Sequence, residues 1–209
     1  MVRVKVCGIT NLGDARAAIE AGAGALGFNF YRRSPRFIEP AAAREIVERL
    51  PREILCVGVF VNDERRAVED VVAESGVGAA QLHGDETPRF CASLAGLRVI
   101  KALRVGEEFE PESATDYHVE AILLDSFSRT QRGGTGHTFD WSIARRTREQ
   151  VERLYLAGGL TPENVRAAVE AVEPHAVDVC SGIERGPGRK DHTRMREFFD
   201  ALRSLRDRN

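Results

Sequence analysis

A thiol, two carboxyl groups, an imidazole and a guanidinium stand where short apolar runs of this chain give way to polar loops. The thiol is Cys7, in Cys7-Gly8-Ile9-Thr10. As a free cysteine it would titrate near ~8.5, so service as a general base needs a bias toward thiolate. Lys5, two residues earlier, would share its strand face at roughly 6–7 Å and supply positive charge. The competing reading is a buried, inert cysteine. Asp125, in Leu124-Asp125-Ser126, is suited to general-acid work if burial or a neighbouring anion keeps its proton on, and otherwise caps the following turn. His83 lies in Gln81-Leu82-His83-Gly84-Asp85, and an imidazole is a natural proton carrier near neutrality. Arg36 ends Tyr31-Arg32-Arg33-Ser34-Pro35-Arg36, and its planar fork matches a carboxylate. Arg32 and Arg33 read as solvated. Asp178, two residues before Cys180, either pairs with Lys5 across a closed sheet or touches a substrate.

Three glycine clusters follow later runs: Gly133-Gly134-Thr135-Gly136, Ala157-Gly158-Gly159 and Ser181-Gly182. Each alone is an ordinary turn. Glycines before a helix, however, let backbone N–H groups and the helix N-terminus approach an anion. In barrels the loops after the seventh and eighth strands commonly hold phosphate. Gly134, Thr135, Gly136, Gly158, Gly159, Ser181 and Gly182 are therefore the expected phosphate-binding residues.

The elements that must position these groups alternate. Strand-like runs cover Arg3 to Cys7, Ala25 to Phe30, Ile54 to Val61, Val77 to Leu82, Arg98 to Leu103, Ala121 to Leu124, Arg153 to Leu156 and Ala176 to Cys180. They are apolar on both alternating faces, as parallel strands covered on both sides should be. Helical patterns fill most gaps. One runs from Asp14 to a stop at Gly22, a second from Pro40 to Leu50, and a third opens at Thr161-Pro162 with Thr as N-cap. The last runs from Thr193 to Leu205. Pro111 breaks the pattern between Gly106 and Tyr117, so one irregular crossover is expected after the fifth strand. Eight alternations point to a single-domain (β/α)8 TIM barrel over residues 1–209, with an open doubly wound sheet as the alternative. Trp141 is expected in the core and His137 at the surface.

Composition excludes several classes. Hydrophobic residues make up 43% and charged residues 30%, as in a globular protein. A net charge of -2 gives no footprint for nucleic acid or a membrane surface. No run spans a bilayer, and the chain enters its first strand without a signal peptide. The four cysteines lack metal-ligand spacing, so no metal is expected and a reducing cytoplasm is the simplest setting. Lys5, Lys101 and Lys190 are the only lysines among 30 basic residues, which reads as compositional bias.

Taken in order, Lys5-Val6-Cys7-Gly8-Ile9-Thr10, Ser34-Pro35-Arg36, Gln81-Leu82-His83-Gly84-Asp85, Leu124-Asp125-Ser126, Gly134-Thr135-Gly136 with Phe139-Asp140-Trp141, Ala157-Gly158-Gly159-Leu160, Ser181-Gly182-Ile183-Glu184 and Pro187-Gly188-Arg189-Lys190-Asp191 resemble the phosphoribosylanthranilate isomerases of tryptophan biosynthesis. The resemblance spans essentially the whole chain. It implies a barrel without cofactor, acting on a small phosphosugar as a monomer or homodimer. The implied reaction is an Amadori rearrangement, with Cys7 as base, Asp125 as acid and Arg36 on the anthranilate carboxylate. It places His83 beside the site as a packed or hydrogen-bonded group. The family usually has Ser-Ser-Gly where this chain has Cys180-Ser181-Gly182. A Cys7–Cys180 disulfide is conceivable across the barrel closure, although different side-chain layers would keep the sulfurs apart. Rival readings fit less well. An indoleglycerol-phosphate synthase would need lysines at strand ends, a histidine-pathway sugar isomerase would need a carboxylate at position 7, and a non-catalytic binding barrel would need neither Cys7 nor Asp125.

Overall fold

The computed structural model describes residues 2–106, 108–126 and 140–203. Eight parallel strands close into a barrel in chain order: β1 (Arg3–Val6), β2 (Ala25–Asn29), β3 (Leu55–Phe60), β4 (Ala79–Leu82), β5 (Val99–Val105), β6 (Ala121–Ser126), β7 (Leu154–Leu156) and β8 (Ala176–Val179). All eight predicted runs are strands, and the open sheet is ruled out by the pairing of β1 with β8. That closing register sets Lys5 beside Asp178 and Val6 beside Val179, and Cys7 N–H continues it to Val179 O at 2.9 Å.

Among the described residues seven α-helices pack outside: α1 (Leu12–Ala21), α2 (Pro40–Val47), α3 (Arg65–Ser75), α4 (Pro88–Ser93), α5 (Trp141–Gln150), α6 (Val165–Val172) and α7 (His192–Arg203). The Asn11 side chain caps α1 by accepting Asp14 N–H at 2.8 Å, and Gly22 ends it in the left-handed region. The irregular crossover after β5 is a 3-10 turn at Pro111–Asp116. Residues of α6 become helical at Val165 rather than at Pro162, because Asn164 Oδ1 accepts Thr161 N–H at 2.8 Å and holds a separate turn there. A two-stranded antiparallel hairpin, β9 (Glu184–Gly186) and β10 (Arg189–Lys190), was not expected.

Two apolar layers stabilise this arrangement. Between sheet and helices lie residues such as Val6, Leu26, Phe28, Leu82, Leu124, Val177 and Phe198. The second layer sets Val57, Ile100, Leu123 and Tyr155 among small alanines at 79, 102, 121 and 176. Strand alternation puts Leu123 and Asp125 on one face of β6, and likewise Gln81 with His83 and Asp178 with Cys180. The polar residues thus continue the Val57–Tyr155 layer toward the C-terminal rim. Trp141 is partly buried against the outer layer rather than fully in the core. His137 lies outside the described residues.

Candidate active site

Lys5 is completely buried, and its ammonium bonds both oxygens of Asp178 at 2.9 Å. The pairing of Asp178 with Lys5 across the barrel closure is formed. Burial alone would lower the Lys5 ammonium, yet the charges of Asp178 and Cys7 overcome it and hold it above its usual value. Burial likewise pushes the Asp178 carboxyl up to about 7, against the pull of Lys5.

Cys7 stands one layer above this pair. Its thiol is held well below the usual value by a hydrogen bond from Cys180 and, against the cost of burial, by the charges of Lys5 and Lys190. Cys180 moves the opposite way, because its proton is shared with the Cys7 thiolate and its own charged form would be buried. Cys180 Sγ also lies 3.7 Å from Glu184 Oε1, to which it can donate, and 3.8 Å from Lys190 Nζ, whose charge pulls the other way. Cys7 is thus drawn toward thiolate and Cys180 toward thiol. The two thiols interact, contrary to the expectation that different layers keep the sulfurs apart, and both are free cysteines. Gly27 on β2 makes the space: a Cβ there would lie 2.7 Å from Cys7 Sγ and 3.1 Å from Lys5 Nζ. Burial pushes Cys56 up to about 11, and it does the same to Cys91 against the pull of Lys101.

Asp125 is buried near the end of β6, and its Oδ2 lies 3.2 Å from His83 Nε2. His83 Nδ1 in turn meets Gln81 Nε2 at 2.9 Å. His83 is thus a hydrogen-bonded imidazole, as expected. Around the ring, β7 and β8 separate β6 from β1, so Asp125 and Cys7 approach the mouth from different sides.

Arg36 reaches the same mouth but is not free. Its Nε and Nη2 bond the Glu184 carboxylate at 2.7–3.0 Å. The fork edge expected for a ligand is occupied, which leaves the Nη1–Nη2 edge. Lys190, also fully buried, bonds Glu184 Oε1 at 2.9 Å and Cys180 O at 3.3 Å. Sequence reasoning missed Glu184 and Lys190, both carried by the unexpected hairpin. The available signal was lysine scarcity. All three lysines are at most 2% exposed and ion-paired: Lys5 to Asp178, Lys101 to Glu86, and Lys190 to Glu184. What reads as compositional bias leaves lysine only where a compact ammonium fits. Arg32 and Arg33 are exposed, as expected.

After β7, Gly158 and Gly159 adopt φ values of 86° and 68°, a conformation that side chains disfavour. Gly182 packs so closely on this loop that a Cβ would lie 1.9 Å from Leu160 O. Ser181 and Gly182 form a 3-10 turn after β8, so the two loops make one backbone-lined surface. Gly134, Thr135 and Gly136 lie outside the described residues. Among the described residues, no group of three or more His, Cys, Asp or Glu side chains could hold a metal ion. No helix there is long and apolar enough to cross a membrane.

A thiol drawn toward its basic form and a buried carboxyl group share the C-terminal rim of a closed barrel, the arrangement of a (β/α)8-barrel enzyme. Comparison with known proteins gives the particular family. The family model for N-(5'-phosphoribosyl)anthranilate (PRA) isomerase matches residues 4–201. A relative of that name from Pelobacter propionicus is 47% identical over 206 residues, covering 99% of this chain and 98% of the relative. One from Geobacter sulfurreducens is 51% identical over 199 residues, covering 95% and 97%. The crystal structure of the Thermotoga maritima isomerase superposes with a TM-score of 0.92 at 46% identity, covering 98% of this chain and all of the other. The chain belongs to the N-(5'-phosphoribosyl)anthranilate isomerase family.

Proposed function

We propose that this chain performs its family's isomerisation, a step of tryptophan biosynthesis, with Cys7 as general base and Asp125 as general acid. Asp125 protonates the ring oxygen of N-(5'-phosphoribosyl)anthranilate as the C1–O bond breaks, and the nitrogen lone pair forms the Schiff base. Cys7 thiolate then takes the proton from carbon 2 of the sugar. The resulting enolamine tautomerises to 1-(2-carboxyphenylamino)-1-deoxyribulose 5-phosphate. Each step moves a proton, so no cofactor has a step to perform. The observation that carries this reading is geometric: Cys7 and the buried Lys5 ammonium both crowd Gly27 at one side of the mouth, where the thiol is drawn below its usual value, and the buried Asp125 stands on β6.

The phosphate end of the substrate is assigned to the loops of Gly158, Gly159, Ser181 and Gly182, with Gly134, Thr135 and Gly136 as further ligands. Backbone N–H donors there are indifferent to Cys180 replacing a hydroxyl. The anthranilate carboxylate is assigned to the Nη1–Nη2 edge of Arg36, and the sugar to the part of the mouth that His83 and Asp178 border, their own polar atoms being engaged by Asp125, Gln81 and Lys5. A phosphoribosylanthranilate isomerase structure in complex with reduced 1-(o-carboxyphenylamino)-1-deoxyribulose 5-phosphate is 45% identical to this chain, which supports a ligand of that shape. Residues 1–209 are read as one domain acting as a monomer or homodimer in the cytoplasm. Purified protein should consume fluorescent phosphoribosylanthranilate. Binding that leaves the fluorescence intact would reduce the chain to a ligand-holding barrel.

A further inference from the structure

The family's acid does not stand alone here. Gln81 and His83 project from one face of β4, and a continuous chain of contacts runs from Gln81 Nε2 to His83 Nδ1 (2.9 Å) and from His83 Nε2 to Asp125 Oδ2 (3.2 Å). The direction of donation is decided at its far end. Gln81 is almost fully buried, and its Oε1 is left without a partner. Turning the amide over would instead strand both N–H donors of the NH2 group, and buried orphan donors are rarer and costlier than an under-used carbonyl. Gln81 therefore donates to Nδ1. In a neutral imidazole the proton then sits on Nε2 and points at Asp125.

We propose that Gln81 and His83 are positioning residues for the acid, locking an Nε2–H donor onto Asp125 Oδ2 so that it stabilises the carboxylate left when Asp125 gives its proton to the sugar ring. The inference rests on Asp125 being the acid. Before transfer, Oδ2 is the carbonyl-like oxygen of a neutral carboxyl group and accepts an ordinary hydrogen bond, while Oδ1 carries the proton toward the ring oxygen. As the Oδ1–H bond breaks and the new O–H bond forms on the substrate, negative charge spreads over both carboxylate oxygens. The His83 contact becomes charge-assisted, hence stronger in the transition state than in the ground state. No proton leaves His83 and no tautomer change is needed.

His83→Phe keeps the volume and removes the donor, His83→Gln restores an N–H near the Nε2 position, and Gln81→Leu releases the tautomer. His83→Phe should lower kcat by about 10–100-fold, the worth of a hydrogen bond to a charged group, with KM nearly unchanged. His83→Gln should recover part of that loss, which a packing role would not allow. Nitrogen NMR of histidine-labelled wild type should show His83 protonated on Nε2 alone, and Gln81→Leu should mix the tautomers. Wild-type kcat in His83→Phe, or a proton on Nδ1 of the resting enzyme, overturns the proposal. Asp125→Asn, run alongside, separates the two levels: if it stays active the acid assignment itself fails, whereas an inactive Asp125→Asn beside a fully active His83→Phe removes only the relay.

Discussion

Replacing Cys180 by alanine should move the acid limb of the pH–rate profile to higher pH. The Cys7 thiolate is faced by Lys5 on its own strand, Lys190 on β10, the Cys180 thiol after β8, and Arg36 with Glu184 at the mouth; Asp178 adds negative charge from below. Cys180 stands beside Cys7, and its S–H is a donor that would hold the Cys7 thiol below its usual value. A base whose value is depressed works at pH above that value and fails as pH falls through it, so removing a donor to the thiolate makes failure begin earlier. A hydrogen bond to a charged group is worth about 1.5–3 kcal/mol, with sulfur at the lower end, so rates on the acid limb should fall about tenfold. At alkaline pH, where the thiolate is full in both proteins, rates should converge. Cys180→Ser retains an O–H donor and should track the wild type. The assay is kcat/KM across pH by loss of substrate fluorescence. An unchanged acid limb in Cys180→Ala would show that the thiol pair does not set the base.

Arg36→Met should raise KM, the lost carboxylate contact being worth about 1.5–3 kcal/mol, while kcat changes little; an unchanged KM would place the anthranilate elsewhere. Lys5→Met breaks a buried pair and should cost about 3–5 kcal/mol in chemical denaturation, against less than 1 if the pair were idle. Because the folded-state value of Lys5 is raised, its stabilisation is complete below the unfolded value and is lost as pH rises through the folded one. The wild type should thus lose stability at strongly alkaline pH in a step that Lys5→Met lacks. A disulfide-forming oxidant should inactivate the wild type reversibly, with a mass loss of two protons, through a Cys7–Cys180 bond. Equal sensitivity in Cys180→Ser would confine the oxidation to Cys7.

The barrel was legible because its strands are buried on both faces. That leaves continuous apolar runs with the polar rim residues just beyond them, and eight such runs leave little but closure. Pro111 announced its irregular crossover in the same way. The hairpin of β9 and β10 was not legible, since strands of three and two residues have no period to detect. With it went Glu184 and Lys190, and hence the fact that one edge of Arg36 is already spoken for. Asp178 remained open between two partners because its bond to Lys5 spans 173 residues and depends on the register of closure. The direction of the Gln81–His83–Asp125 chain was equally hidden, since it rests on an orphaned oxygen that only packing reveals.

The assignment of base and acid is tested most directly by Cys7→Ala and Asp125→Asn in single-turnover and steady-state assays, with product-analogue binding measured on the same samples. Both should keep the fold and bind the analogue, yet lose about 10²–10⁴-fold in kcat, the usual contribution of a general acid or base. Near-wild-type kcat in either variant, or a loss confined to KM, would contradict the account.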